Sequence, residues 1–324
     1  MKACWYERTG PPEEVLEYGE IPNHEPGPGE LRLRVHVSGV NPGDVKKRQD
    51  AFALGLPFPR IVPHSDGAGV VESVGPGVTN SWIGTRVWCF GAQTYRPFGT
   101  AAEFCCLPVE NVVRLPDHVT FKQGALLGIP GLTAHEAVYA AGSVSRKTVL
   151  VQGGAGAVGS VAVLLAKRAG ANVIASVRKP EDEVTALRAG ADHVVLGGAD
   201  VVQQVLQAAP RGVDHIVEVA FGANIEDDVE LLAPDGSIAA YASDRDAPTL
   251  PFWPLVFKNV RLCFLGSDDF PAERKRQAAV ELTAAASEGW VGLPIVETYD
   301  LSQVAEAHAR VELGGAGRVV IKVE

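Results

Sequence analysis

The sequence predicts an α/β chain in which a doubly wound parallel sheet is inserted into a smaller, barrel-like β domain. Three observations predict it. At residues 149–159 a short apolar run enters a glycine turn (VLVQGGAGAVG) and leaves as an apolar helix pattern, VAVLLAKRAG. Strand and helix patterns then alternate through Leu265, and the β texture of the first third reappears in the last residues, GRVVIKV. Alternation of this kind is the signature of a parallel sheet covered by helices.

Taken in order, the first third is punctuated by glycine and proline and carries short β patterns: LRLRVHVSGV at 31–40, AGVVESVG at 68–75 and AAEFCCLP at 101–108. These read as a small β domain. From about Phe121 the texture becomes apolar helix, GALLGIPGLTAHEAVYAAG. Six strands follow, TVLVQ, NVIASV, HVVL, HIVEVA, SIAAYA and RLCFLG, with helical connectors between the first five. They suffice for one doubly wound sheet. From Pro271 a long alanine-rich helix leads to the final strand, which is expected to return to the first domain. The domain reading is therefore 1–122 for the first part of the β domain, 123–266 for the inserted sheet, and 267–324 for the return.

The glycine turn carries the chemistry. Gly154, Gly156 and Gly159 stand in G-x-G-x-x-G spacing with Ala155, Ala157 and Val158 between them. A phosphate needs backbone N–H groups within hydrogen-bond reach, and a Cβ at the turn obstructs the approach, while the helix N-terminus adds partial positive charge. Strand, turn and helix in this order point to a dinucleotide. Which dinucleotide depends on the end of the second strand, where an NAD-selective site places Asp or Glu on the ribose hydroxyls. Here the chain reads Ser176, then Arg178 and Lys179, cations that attract a 2′-phosphate, and NADP is the expectation. The alternative is that both are ordinary solvated loop cations, with Glu181 and Asp182 diluting the patch.

At 324 residues, 46% hydrophobic and 21% charged, the chain is long enough for two cores. A formal net charge of −10 argues against a nucleic-acid partner. The start, MKACWYERTG, lacks the apolar core of a signal peptide, and no apolar run approaches the ~18 residues of a membrane span, so the cytoplasm is expected. The cysteines, Cys4, Cys89, Cys105, Cys106 and Cys263, lack C-x-x-C spacing and are expected to be reduced.

Several segments in order, GVNPGDVKKR, HSDGAGVVESVGPGV, GTRVWCFG, GTAAEFCCLP, GIPGLTAHEAV, the glycine turn, AGADHVV and AEAHARVELGGAGRVVIKV, resemble the zinc-independent quinone oxidoreductases. These are the zeta-crystallin-like branch of the medium-chain dehydrogenase/reductase superfamily. The resemblance implies a GroES-like catalytic domain, a Rossmann domain inserted into it, NADPH as hydride donor, and transfer to an acceptor in an interdomain cleft. Zinc relatives place Cys and His where this chain has Asn41 and Ser65, and neither is an ordinary zinc ligand, so no metal is expected. Without a metal the acceptor must take hydride readily, as quinones and activated enones do. By resemblance Asn41 and Asp44 line the site and Thr133 meets the nicotinamide side. Local readings stay open beside these: a turn residue for Asn41, a helix cap for Asp44, and a backbone-bonded hydroxyl for Thr133. His64 reads as a loop hydrogen-bonder. In the aromatic pair of TYRPFG, Tyr95 and Phe98 read as a site wall or, more ordinarily, a packing plug. Departures from the family are Lys46 at a phenol position, Gly197 and Gly198 in place of an aromatic, and Asp182 at a lysine position. The resemblance also implies a homodimer joined near residues 261–266. Two further readings are an enone or alkenal reductase with little quinone activity, and a non-catalytic, crystallin-like NADPH sensor.

Overall fold

Branched aliphatic residues in unbroken runs make strands that are buried on both faces, and the central strands of the inserted sheet have this composition. Leu150, Ile174, Ile216 and Ile238 are fully buried in one core with Phe221, Ile225, Leu231 and Leu232. Each such side chain contributes roughly 1.5–3 kcal/mol. The computed structural model describes residues 1–290, 292–315 and 317–324. It forms two compact units, Met1–Pro130 with Pro271–Glu324, and Gly131–Phe270.

In the unit Gly131–Phe270 the six strands are Thr148–Val151, Asn172–Val177, His193–Leu196, Val213–Glu218, Leu232–Ala240 and Arg261–Phe264. All pair in parallel, and counted along the chain their spatial order is 3-2-1-4-5-6. The order reverses between the first and fourth strands, where open α/β sheets bind ligands beyond the strand C-termini. A helix not expected from the sequence, Phe252–Phe257, joins the fifth and sixth strands. Its six aromatic-rich residues include Pro254, too short and too broken a pattern to show helical periodicity.

The other unit holds a seven-stranded sheet built around the 11-residue strand Glu30–Val40. One edge of that strand pairs with Asp66–Val74; the other pairs with Phe104–Pro108 at its start and with Arg318–Lys322 at its end. The final strand thus returns to the first domain as expected. Pairing of Gly39 with Asp66 and of Val319 with Val40 brings Asp66, Asn41 and Arg318 to one end of the sheet. Cys105 and Cys106 point to opposite faces, the first buried and the second partly exposed. All five cysteines are free. Among the described residues no helix is long and apolar enough to cross a membrane.

Candidate active site

The phosphate cradle comes first in chain order of chemistry. Gly156 caps the helix Ala157–Arg168 in extended conformation, and the Ser160 amide donates back to its carbonyl. The amides of Ala157, Val158 and Gly159 therefore open the helix with no carbonyl one turn behind them. Ala155 lies in the turn itself. A Cβ at Gly154 would sit 2.6 Å from the Ala175 Cβ, and one at Gly159 would sit 2.1 Å from the Gly153 carbonyl oxygen. A Cβ at Gly156 would meet only the Gly153 oxygen, at 3.2 Å. Gly154 and Gly159 are thus required by the protein's own packing, and at Gly156 the packing constraint is weaker, a single tight contact.

Beneath the turn lies a buried hydrogen-bond chain. Ser176 is not turned toward a ligand: its hydroxyl donates to Gln152 Oε1 at 2.5 Å and accepts the Gly153 amide at 3.2 Å. Gln152 Nε2 donates to Asp228 Oδ1 at 2.9 Å, and the Glu218 carboxyl neighbours Asp228. Both carboxyls are fully buried, and Glu218 also accepts from Asn224 and the Ala220 amide. Burial, then the neighbouring Glu218, pushes the Asp228 carboxyl well up, and burial also raises that of Glu218. Arg178 and Lys179 are exposed directly after the second strand; Lys179 stands 3.9 Å from Glu181. Thr133 is buried in the helix Ile129–Tyr139.

The second cluster belongs to the other unit. Asn41 caps the helix Pro42–Gln49, and the Asp44 carboxylate accepts its backbone amide at 2.8 Å, half of a capping box. The Asn41 side chain is buried: Nδ2 donates to Asp66 Oδ2 at 2.7 Å, and Oδ1 accepts from Arg318 at 2.8 Å. One amide hydrogen is left over, so Asn41 has a donor to offer. Asp66 accepts the Ile129 amide on both oxygens at 2.9 Å. Arg318 is buried, with Asp66 and Asp44 supplying the opposing charge. Sequence reading missed Asp66 and Arg318; the only signal was that each opens a strand pairing with 30–40. Phe98 stacks on His24 at 4.2 Å as a packing plug, and Tyr95 is exposed. Lys46 is also exposed.

Comparison with known proteins places this geometry. The alcohol dehydrogenase GroES-like domain family matches residues 27–117, and the family described as zinc-binding dehydrogenase matches 157–282. These are the two halves of a medium-chain dehydrogenase/reductase. A Pseudomonas aeruginosa quinone oxidoreductase is 30% identical over 303 residues, 91% of each chain, and the mouse quinone oxidoreductase is 28% identical over 98% of this chain and 96% of its own. A mycobacterial protein solved with NADPH superposes over the whole of both chains with a TM-score of 0.87 at 28% identity. The chain belongs to the quinone oxidoreductase branch of the medium-chain dehydrogenase/reductase superfamily.

Proposed function

We propose that this protein is an NADPH-dependent reductase that transfers hydride to quinones without a metal. The observation that carries the reading is the cradle at Gly154–Gly159: three open helix amides, walls that tolerate no Cβ, and a middle position kept bare. The mycobacterial neighbour, solved with NADPH, supports the same cofactor here. Bound there, the nicotinamide supplies a hydride from C4. The amides of Ala157, Val158 and Gly159 receive the pyrophosphate, with Gly154, Ala155 and Gly156 forming its floor. Arg178 and Lys179 meet the 2′-phosphate, and Ser176 holds the turn in place.

Asn41 gives its remaining N–H to an acceptor oxygen or ribose hydroxyl, and Thr133 borders the nicotinamide side. Asp44 serves the site by fixing the Asn41 backbone. Metal-free action is supported by the donor set: an amide and a hydroxyl at positions 41 and 65, with the Arg318 guanidinium beside Asn41 where a dication would be repelled. A quinone needs no Lewis acid, since two electrons and a proton arrive as hydride and the second proton comes from water. Activated enones are a second acceptor class that takes hydride by the same chemistry.

A homodimer is supported by the exposed sheet edge Arg261–Phe264, flanked by exposed Phe252, Trp253 and Phe257. Five free cysteines fit a reducing compartment, the cytoplasm. The test is steady-state NADPH oxidation against a panel of benzoquinones and enones, with NADH in parallel. Faster turnover of quinones is expected; turnover of enones alone would reassign the acceptor, and turnover of neither would remove the reading.

A further inference from the structure

His64 stands out in the backbone before it does in any site. It is a fully buried, non-glycine residue at φ +77°, a conformation that L side chains adopt only under strain. A glycine would occupy the position freely, so the imidazole is kept at a cost in backbone energy. Its ring lies inside a closed series of hydrogen bonds. Nε2 meets Nε2 of the buried His308 at 2.9 Å, and Nδ1 meets Ser38 Oγ at 2.8 Å. Ser38 Oγ meets Thr100 Oγ1 at 2.7 Å, and Thr100 Oγ1 donates to the Asp66 carbonyl oxygen at 2.6 Å. At the far end Arg48 Nε donates to His308 Nδ1 at 3.3 Å, while its guanidinium also holds the Gly10 carbonyl and Glu312.

The proton positions follow from the two ends. Arg48 has only donors, so His308 Nδ1 accepts and its proton sits on Nε2. That proton is given to His64 Nε2, which leaves the His64 proton on Nδ1, facing Ser38. The Asp66 carbonyl has only lone pairs, so Thr100 spends its hydrogen there and must accept from Ser38. Ser38 then accepts from His64. Both ends fix the same direction, and every donor from Arg48 to Asp66 is used once. A second proton on either ring would set donor against donor. The series ends on a carbonyl, which has no proton to pass on, so it orders groups and does not carry protons to a substrate.

We propose that the Arg48–His308–His64–Ser38–Thr100 series is a positioning device that holds the Asp66 peptide, and through the Asp66 carboxylate the Asn41 amide, in its single donor-presenting state. The proposal rests on the reading of Asn41 as an active-site donor. It makes Ser38, His64 and His308 positioning residues for the reduction, acting through Asn41.

The test is a double-mutant cycle on kcat for NADPH-dependent benzoquinone reduction, with KM for NADPH and the thermal midpoint measured alongside. Ser38→Ala removes one oxygen and cuts the series; it is expected to lower kcat about tenfold with KM for NADPH within twofold. Asn41→Ala is expected to lower kcat at least as much, and Ser38→Ala combined with Asn41→Ala is expected to be no slower than Asn41→Ala alone. Ser38→Thr, which restores the hydroxyl, is expected to recover kcat to within threefold. Multiplying losses in the double variant, or an unchanged kcat in Ser38→Ala while Asn41→Ala is slow, would overturn the proposal and leave the Asn41 reading intact. An unchanged kcat in Asn41→Ala would overturn the Asn41 reading and the proposal with it.

Discussion

Gly156 separates folding from binding better than Gly154 or Gly159, because a Cβ there meets only one tight contact, 3.2 Å from the Gly153 oxygen, whereas theirs would clash outright, and a bound pyrophosphate needs the position bare. Gly156→Val is expected to fold and to lose NADPH and NADH binding alike, by at least about 100-fold, or some 2.7 kcal/mol. Fluorescence titration of both nucleotides checks this, and retained affinity would mean the turn is not the cradle. Arg178→Ala with Lys179→Ala is expected to weaken NADPH about tenfold or more and NADH less than threefold, since only NADPH carries the extra phosphate. Equal effects on both would remove the 2′-phosphate assignment. These residues were legible because a glycine turn and two adjacent cations are local features. Asp66 and Arg318 were not, because strand register, not sequence spacing, brings residues 66 and 318 to Asn41. The structural role of Ser176 was not legible, since its partner Gln152 follows the neighbouring strand Thr148–Val151.

Among the elements, the helix Phe221–Leu231 shows how a distant residue can finish a local structure. Its final turn leaves carbonyls without partners, and Lys258 Nζ donates to those of Val229, Glu230 and Leu232 at 2.6–2.9 Å. Lys258→Met is expected to cost about 1–3 kcal/mol, read from urea unfolding, because two part-buried acceptors and one exposed one lose their donor. The six parallel strands were legible from their apolar runs, and the helix Phe252–Phe257 was not. That helix and the edge strand Arg261–Phe264 together expose Phe252, Trp253, Phe257 and Phe264. In the proposed dimer, Trp253→Glu with Phe264→Arg is expected to shift the protein to a monomer in sedimentation. A wild-type monomer at micromolar concentration would contradict the assembly.

At the scale of the whole molecule, buried histidines set the acid limit. Burial lowers the pKa of His64 to about 3 and that of His215 to about 4, and burial with the neighbouring His64 lowers that of His308 well below the usual value. Below about pH 6.5 the unfolded chain takes up these three protons and the native protein does not, so their stabilising contribution is present above that pH and is lost as pH falls. The Glu218–Asp228 pair works in the opposite sense, since the native state keeps a proton that the unfolded chain releases above about pH 4. The three histidines outweigh the one carboxyl pair, and stability is expected to fall as pH drops from 6 to 4, measured by denaturant unfolding. A flat profile there would mean the histidines are not buried neutral. Two cores and an inserted sheet were legible from texture alone, while the ordered series from Arg48 to Asp66 was invisible because its members span residues 38 to 308. Metal-free hydride transfer from NADPH to a quinone is tested by NADPH oxidation with benzoquinone after exhaustive chelation. Turnover undiminished by chelation is the predicted result; turnover lost on chelation and restored by zinc would contradict it.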